Sequence, residues 1–322
     1  MDPLLRASDL VVEYNIGRST TRALQGVSID VYPSGYKLGV VGESGSGKTT
    51  LGLSMMDLIE PPGRIVGGQL EYGKKNLLEM SPEEVRRFRW REVAMVFQSA
   101  MNAFSPVKRT ADHIVEVITE RSETPKAEAR EKALSLLSEV GIQGEHADDF
   151  PHELSGGMKQ RAMIAMALAL SPKLLIADEP TSALDVVVQK QILFLLKREV
   201  SRLGLSLVFI THDLPLLRGL VDDVAVMFAG EVVEKGPVSR VLNGPMHPYT
   251  EQLVSSLLTL DTDTKASEIT SFDFSKEAAA EGCRYRLRCK YAFERCRHER
   301  PLLKKREGDV YVACHKYDES TA

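Results

Sequence analysis

The chain has 322 residues, of which 43% are hydrophobic and 27% charged, with 41 Lys and Arg against 45 Asp and Glu. This is the composition of a globular protein with a full hydrophobic core, and it excludes a disordered or fibrous chain. The formal net charge of -4 excludes a sequence-wide electrostatic attraction to nucleic acid, whose phosphates require a basic partner surface.

The sequence predicts neither a secretion signal nor a membrane span. Residues 1–6 show no basic region followed by an apolar stretch, and the apolar run at residues 162–170 is too short to cross about 30 Å of hydrocarbon. All four cysteines lie within residues 283–314, whereas a disulfide scaffold would distribute them through the fold. We therefore expect a cytoplasmic chain.

The N-terminal half predicts strands followed by a glycine-rich turn and a helix. Residues 9–14 and 27–31 have β-branched, partly alternating character and are expected to pair as an antiparallel edge layer. The apolar run 38–41 stops at glycines and gives way to a helix from Lys48. The sequence Ser-Pro-Glu-Glu at residues 81–84 predicts a capped helix that ends before a strand at residues 93–97.

The second half predicts a helical insertion and then a parallel sheet. Ala133, Leu137 and Val140 recur at helical spacing until Gly141 closes the segment. Because this helical pattern lies within residues 110–171, we expect an inserted helical subdomain at about residues 99–171. The apolar runs 174–177 and 205–210 predict buried parallel strands on either side of a helix at residues 187–203. The fold class is therefore α/β.

A change of composition predicts a main domain at residues 1–244 and a cysteine-rich extension at residues 245–322.

Residues 42–49 fit the eight-position phosphate-binding loop, in the strand-to-helix context that confirms this motif. Its glycines allow backbone N–H groups to converge on a phosphate at the positive end of the helix. In such a loop the lysine reaches the β- and γ-phosphates, and the next hydroxyl residue binds Mg²⁺. The predicted nucleotide-binding residues here are Gly42, Ser44, Gly45, Ser46, Gly47, Lys48, Thr49 and Thr50.

Two carboxylates, Asp178 and Glu179, follow the predicted strand 174–177. Together with a phosphate loop, this pair indicates phosphoryl-transfer chemistry. Asp178 is predicted to lie in the Mg²⁺ shell, and Glu179 to orient or deprotonate the water that attacks the γ-phosphate.

The sequence Leu-Ser-Gly-Gly-Met-Lys-Gln at residues 154–160 resembles the signature of ATP-binding cassette (ABC) ATPases. Further residues resemble other motifs of the same family. Gln98 resembles the Q-loop glutamine, residues 182–185 the D-loop, His212 the switch histidine, and Tyr14 the aromatic residue that stacks on adenine.

This resemblance implies an ABC ATPase core in which two cassettes face each other head to tail. Ser155 and Gly157 of one cassette would then contact the γ-phosphate bound to the other. Gln98 and His212 would take part in catalysis, with Gln98, Thr49 and Asp178 around Mg²⁺. Since the chain has one set of motifs, a second ATPase subunit is required, either a homologous chain or a second copy.

Residues 97–107 and 247–250 are similar to segments of oligopeptide, dipeptide and nickel importers, although Ser99 stands where that group commonly has an acidic residue. Cys283, Cys289, Cys296 and Cys314 also match the C-terminal cysteine pattern of these subunits, which in some members binds a 4Fe-4S cluster. Zinc or unligated thiols stay open as alternatives. Cys289 and Cys296 are seven residues apart and are expected to share a helix face. Nearby basic residues would offset cluster charge, or form a solvated face if the thiols are unligated.

The resemblance implies an ATPase subunit at the cytoplasmic face of the cell membrane that powers import of peptides, nickel or oligosaccharides. Its partners would be two transmembrane permease subunits and, indirectly, an extracytoplasmic solute-binding protein. The alternative is a soluble ABC ATPase acting on nucleic acid or ribosomes. The short gap between phosphate loop and signature disfavours it, because chromosome-type ATPases separate these motifs by long heptad arms.

Overall fold

The structure is a computed structural model that describes residues 1–17, 19–98, 103–182, 184–258 and 281–318. Ser99, where the sequence departs from the importer pattern, and Ala183 of the predicted D-loop lie outside the described residues. The chain divides into two compact units. The first comprises Met1–Leu4, Val31–Tyr36 and Leu77–Phe209, and the second comprises Leu5–Asp30, Lys37–Asn76 and the described residues of Ile210–Ala322. This division does not test the predicted boundary near residue 245, which stays a prediction.

The strands, in chain order, are β1 Leu5–Ile16, β2 Ser19–Val31, β3 Lys37–Val41, β4 Gly63–Tyr72, β5 Lys75–Asn76, β6 Val93–Val96, β7 Leu174–Asp178, β8 Ser206–Thr211, β9 Asp223–Phe228, β10 Glu231–Pro237, β11 Lys304–Lys305 and β12 Tyr311–Val312. The α-helices are α1 Lys48–Met55, α2 Pro82–Arg91, α3 Thr110–Arg121, α4 Lys126–Glu139, α5 Gly144–Ala147, α6 Gly156–Ala167, α7 Val186–Leu203, α8 Val238–Asn243, α9 Pro248–Leu258 and α10 Arg295–His298. No helix in the described part of the chain has the length and apolar character that crossing a membrane requires.

The first unit combines parallel strands with the predicted helical insertion. Strands β6 and β7 pair in parallel, from Val93 opposite Leu174 to Val96 opposite Ala177, and all of these side chains are buried. This explains their continuous apolar sequence, because both faces of such a strand are covered. Helices α3, α4 and α6 pack against one another, and the interior face of α4 is formed by Ala129, Ala133 and Leu137, as the helical spacing predicts.

Helix α2 confirms the capping prediction. Oγ of Ser81 accepts a hydrogen bond from the backbone N–H of Glu84 at 3.3 Å, and the Glu84 carboxylate accepts one from the N–H of Ser81 at 3.0 Å. Each bond satisfies a backbone donor that the first turn leaves open, so local chemistry fixes where the helix starts.

The second unit holds two groups of strands. Strand β1 lies between β2 and β4 in a four-stranded sheet with the order β2-β1-β4-β5, and β1 and β4 are antiparallel. The predicted edge layer is thereby confirmed. Elsewhere in this unit β3 and β9 pair in parallel, while β10 pairs antiparallel with both β9 and β12. The C-terminal residues therefore extend this unit's sheet through β12 and β11.

Candidate functional site

The phosphate loop connects β3 to α1, as predicted, and two of its glycines are required by close backbone contacts. Gly47 caps α1 with a left-handed φ of 99°, and a Cβ there would lie 2.5 Å from the carbonyl oxygen of Ala23. A Cβ on Gly42 would lie 2.2 Å from the carbonyl oxygen of Met227. Neither position can accept a side chain without a backbone shift, so glycine is the only residue that fits.

The polar groups of the loop fit a phosphate ligand. Nζ of Lys48 donates to the carbonyl oxygens of Gly42 at 2.7 Å and Glu43 at 2.9 Å, so the lysine folds back over the loop. Oγ of Ser46 is buried and has no hydrogen-bond partner among the described residues. Thr49, in the first turn of α1, is exposed. A positive lysine, an unsatisfied buried hydroxyl and the N-terminal end of a helix together suit an anionic ligand.

In the first unit, the predicted Q-loop glutamine and the predicted catalytic glutamate are in contact. Nε2 of Gln98 donates to Oε2 of Glu179 at 3.2 Å. Oγ of Ser182 lies 3.2 Å from the carbonyl oxygen of Gln98 and 3.0 Å from that of Glu179. Three residues from separate predicted motifs therefore form one hydrogen-bonded group.

The backbone at Glu179 is unusual. Asp178 is the last residue of β7 and is buried, whereas Glu179 has a left-handed φ of 43° and is half-buried. A non-glycine residue with positive φ is uncommon and is often found at functional sites. This turn directs the chain away from the strand immediately after the buried Asp178. A carboxylate such as that of Asp178 is a ligand that suits Mg²⁺.

The predicted signature lies at the start of α6. Ser155 is the N-cap of this helix, and its exposed hydroxyl accepts a hydrogen bond from the backbone N–H of Met158 at 3.3 Å. A Cβ on Gly157 would lie 2.7 Å from Cγ1 of Val188, so α6 and α7 approach each other closely there. Asp185 caps α7 by accepting hydrogen bonds from the N–H groups of Val187 and Val188, both at 3.0 Å. Signature and D-loop segments thus begin neighbouring helices.

Two other predicted nucleotide residues lie in the second unit. Tyr14 is half-buried on β1, where it is paired with Gly63, and a Cβ on that glycine would lie 2.6 Å from the Tyr14 ring. His212 is exposed directly after β8, and Oγ1 of Thr211 accepts a hydrogen bond from the N–H of Asp213 at 3.0 Å, which fixes this turn. Their roles at a nucleotide stay predictions.

The four cysteines converge on one small cavity, which is also lined by His247, Phe293 and His315. Burial raises the pKa of the Cys283 thiol to about 12 and that of the Cys314 thiol to about 11. Within the described ranges, no group of three or more His, Cys, Asp or Glu side chains is arranged to hold a single metal ion. The thiols therefore share a cavity without closing around one ion position.

The expectation that Cys289 and Cys296 share a helix face is wrong. Cys296 lies in α10, whereas Cys289 precedes this helix and accepts, at its carbonyl oxygen, a turn hydrogen bond from the N–H of Ala292 at 3.2 Å. A spacing of seven residues places two side chains on one face only if the whole intervening segment is helical. Here the segment forms turns until Arg295.

Sequence reasoning missed that basic residues of the cysteine segment, residues 283–314, bind carboxylates of the predicted main domain. Nε of Arg284 lies 2.6 Å from Glu231 on β10, and the Arg288 guanidinium binds the carboxylate of Glu43 in the phosphate loop. Neither arginine belongs to a solvated face, since their side chains are 13% and 8% exposed. These pairs join residues 53 and 245 positions apart, a separation at which no local sequence pattern signals contact.

Comparison with known proteins decides the family. Residues 24–182 match the family described as ABC transporter, and residues 233–296 match the one described as Oligopeptide/dipeptide transporter, C-terminal region. The chain is 38% identical to the dipeptide transport ATP-binding protein DppD of Caldanaerobacter subterraneus subsp. tengcongensis, an alignment that covers 99% of this chain and 98% of the relative. It is 39% identical to DppD of Escherichia coli (strain K12), covering 97% and 96%. The oligopeptide transport ATP-binding protein OppD of Bacillus subtilis (strain 168) is 38% identical, covering 96% and 87%.

The chain belongs to the ATP-binding subunits of dipeptide and oligopeptide ABC transporters. It is an ATPase whose hydrolysis is coupled to transport, as the sequence motifs predict. The alternative of a soluble ABC ATPase acting on nucleic acid or ribosomes receives no support from these relatives.

Solved ABC cassettes confirm the fold. The dimeric, post-hydrolysis structure of the ATP-binding cassette MJ0796 bound to ADP and Pi superposes with a TM-score of 0.65 at 26% identity, covering 73% of this chain and 98% of that chain. The structure of cbiO1 from Clostridium perfringens, part of the ABC transporter complex cbiONQ, gives 0.65 at 26% identity, covering 81% and 96%. The predicted α/β ABC core is therefore correct.

Proposed function

We propose that this ATPase powers the import of peptides through separate permease subunits. The observation that carries the proposal is the full-length similarity to dipeptide and oligopeptide transport subunits, which extends through the C-terminal region at residues 233–296. An ABC ATPase core alone would not distinguish an importer of this class from other ABC proteins. No observation on this chain favours nickel or an oligosaccharide over a peptide.

We assign the nucleotide contacts to the predicted residues. Backbone amides of the phosphate loop, except that of Glu43, which donates to the Tyr249 hydroxyl, would bind the phosphates together with Lys48. Tyr14 would lie against the adenine, with Thr50 beside the loop. Thr49, Gln98 and Asp178 would hold Mg²⁺, which neutralises part of the phosphate charge when bound. Support for a phosphate ligand in the loop comes from the folded-back Lys48 and from the buried hydroxyl of Ser46, which has no hydrogen-bond partner in the described part of the chain.

Catalysis would be carried by Glu179, Gln98 and His212. Glu179 would accept a proton from the attacking water or orient that water, and His212 would contact the γ-phosphate. The hydrogen bond between Gln98 and Glu179 supports a shared role, because it holds the carboxylate in one orientation. Ser182 would stabilise this orientation through its bonds to both backbone carbonyls.

We further propose that the active unit contains two cassettes. Ser155 and Gly157 would contact the γ-phosphate bound to the partner's phosphate loop, at the positive end of α6. The exposure of Ser155 at that helix terminus supports a contact of this kind. The second cassette would be a homologous subunit, with a homodimer as the alternative. Two permease subunits and an extracytoplasmic solute-binding protein would complete the importer and hold this chain at the cytoplasmic face of the membrane.

The cysteine site is proposed to hold a 4Fe-4S cluster with a structural role. Support comes from the four thiols that line one cavity and from Arg286 and Lys316, which line the same cavity and would offset the negative charge of a thiolate-ligated cluster. The raised thiol pKa values of Cys283 and Cys314 mean that binding must displace protons, so the affinity should fall as the pH falls. Zinc and unligated thiols are the alternatives.

Peptide uptake in cells tests the proposed function. A strain that lacks this chain should lose uptake of labelled dipeptides or oligopeptides, and expression of the wild-type chain should restore it. Glu179→Gln should fail to restore uptake, while Glu131→Gln, which changes an exposed carboxylate on α4, should succeed. Unchanged peptide uptake in the deletion strain, combined with loss of another solute, would contradict the peptide assignment.

A further inference from the structure

Glu43, the second residue of the phosphate loop, is held by a side chain from the cysteine segment. Nη1 and Nη2 of Arg288 donate to the two carboxylate oxygens of Glu43 at 2.9 and 2.7 Å. This is the bidentate geometry in which an arginine–carboxylate pair is strongest and most directional. The Arg288 side chain is 8% exposed and that of Glu43 is 28% exposed, so solvent screens the pair only partly.

Three aromatic rings of the second unit surround this pair. The Arg288 guanidinium lies 5.4 Å from the ring centre of Phe228, 5.6 Å from that of Tyr285 and 6.0 Å from that of Tyr249. Rings at these distances attract a cation and restrict where it can move. The hydroxyl of Tyr249 also accepts a hydrogen bond from the backbone N–H of Glu43 at 2.8 Å. Both the side chain and the backbone of Glu43 are therefore held from the C-terminal part of the chain.

The contact with Arg288 matters for phosphate binding because Glu43 is negatively charged. A carboxylate in a loop that binds phosphates repels them unless a positive group compensates its charge. Lys48 lies on the carbonyl oxygens of Gly42 and Glu43, whereas the Glu43 carboxylate is bound by Arg288. The arginine thus removes the electrostatic cost of Glu43 and also fixes the loop at its second position.

We propose that Arg288 is a positioning residue for nucleotide binding, which acts by neutralising and holding Glu43. The ligand affected is the triphosphate of ATP, so the inference rests on the nucleotide site proposed above. Arg288 itself would make no contact with the nucleotide. Its effect passes through the carboxylate of Glu43, so a residue beyond the core influences ATP affinity indirectly.

A double-mutant cycle on the purified full-length chain tests this, with calorimetric ATP binding and the split of KM and kcat in ATP hydrolysis as readouts. Arg288→Ala should weaken ATP binding and raise KM about tenfold, which corresponds to about 1.4 kcal/mol. Its kcat should change much less than its KM. In Arg288→Ala/Glu43→Gln the affinity should return to within about twofold of Glu43→Gln alone, the usual error of additivity. Arg288→Lys, which keeps the charge without the bidentate geometry, should lie in between.

Arg297→Ala is the matched control, because Arg297 belongs to the same segment but forms an exposed pair with Glu294. Its ATP affinity should equal that of the wild type. If Arg288→Ala does not fold, Arg288→Gln replaces it in the same cycle. Failure of both to fold even with Glu43→Gln, or a double variant that binds ATP as weakly as Arg288→Ala, would show a purely structural arginine and overturn the proposal. Unchanged ATP affinity in Arg288→Ala would overturn it as well.

A Lys48→Ala variant separates this inference from the proposed nucleotide site. If the wild type binds no ATP, or binds it equally well without Lys48, the site itself is wrongly assigned. If Lys48→Ala weakens binding while the Arg288 variants do not, the site stands and only the role of Arg288 fails.

Discussion

Glu179 combines a left-handed backbone with a hydrogen bond from Gln98 at 3.2 Å, so its carboxylate is held in a defined direction. Positive φ at a residue with a side chain costs free energy, which the surrounding structure must offset. One offsetting contact is the Ser182 hydroxyl, whose single proton is shared between the carbonyl oxygens of Gln98 and Glu179, at 3.2 and 3.0 Å. A strained, oriented carboxylate immediately after a buried aspartate is consistent with a catalytic role.

Glu179→Gln should therefore stop ATP hydrolysis without preventing ATP binding. The amide has the size of the carboxylate but cannot accept a proton, and loss of a general base lowers kcat about 10²- to 10⁴-fold. Steady-state phosphate release measures turnover, and calorimetry measures binding. The matched control is Glu131→Gln, which should hydrolyse ATP at the wild-type rate. Undiminished hydrolysis in Glu179→Gln would refute the assignment of the base.

Residue types and spacing predicted the phosphate loop between a strand and a helix, but they could not predict which distant side chains are in contact. The phosphate loop could be identified because it needs glycine where a Cβ would collide with backbone, as at Gly42 and Gly47. The contact of Gln98 with Glu179 could not be derived, since it joins residues 81 positions apart. The pair of Glu43 and Arg288 was missed for the same reason.

Helix α4 shows how the spacing of apolar residues predicts which face of a helix is buried. Ala129, Ala133 and Leu137 are four residues apart and all are buried, whereas Leu134 on the same helix is 36% exposed. Residues four apart lie on one side of a helix, and the spacing of Ala133 and Leu137 predicted the interior face that Ala129 extends. Gly141, with a φ of 85°, follows the helix as the predicted terminator.

Leu137→Ala should lower the free energy of unfolding by about 2–5 kcal/mol, because it removes buried methyl groups and leaves a cavity. Leu134→Ala is the matched control, and it should change stability by about 0.5 kcal/mol or less, as exposed positions usually do. Urea denaturation followed by circular dichroism measures both. Equal destabilisation by the two variants would contradict the assigned burial of the helix.

The cysteine segment shows where element prediction fails. The seven-residue spacing of Cys289 and Cys296 suggested one helix, but the carbonyl oxygen of Cys289 accepts a turn hydrogen bond from Ala292, and α10 begins only at Arg295. Four thiols still reach one cavity, through turns rather than through a shared helix face. A seven-residue spacing is compatible with turns as well as with a helix, because tertiary contacts also determine the backbone conformation.

If the cluster proposal is correct, anaerobically purified protein should be brown and contain about four irons with matching acid-labile sulfide. Cys296→Ser should lose most of this iron, because each thiolate is a ligand, whereas the neighbouring control Arg297→Ala should retain it. Iron and sulfide analysis with absorption spectroscopy provides the measurement. A colourless, zinc-loaded or metal-free wild-type protein would contradict the proposed cluster.

For the whole molecule, the sequence predicted the fold class, the ATPase chemistry and the family. The ATPase chemistry follows from motifs whose geometry is imposed by phosphate binding, and the similarity to relatives extends over nearly the full chain. How the C-terminal residues attach was not predictable. They extend the sheet of the second unit through the pairing of β12 with β10, and they reach the phosphate loop through Arg288. Loss of order in this segment would therefore also release Glu43.

If this chain is the ATPase subunit of an importer, it binds permease subunits in the cell. The measurement is affinity purification of the tagged chain from membranes solubilised in mild detergent, followed by mass spectrometry of every bound protein. We predict recovery of two permease subunits and a second ABC ATPase subunit. Recovery of the chain only outside the membrane fraction, with nucleic acid or ribosomes attached, would contradict its assignment to an importer. Only the assignment as an ATPase would then stand.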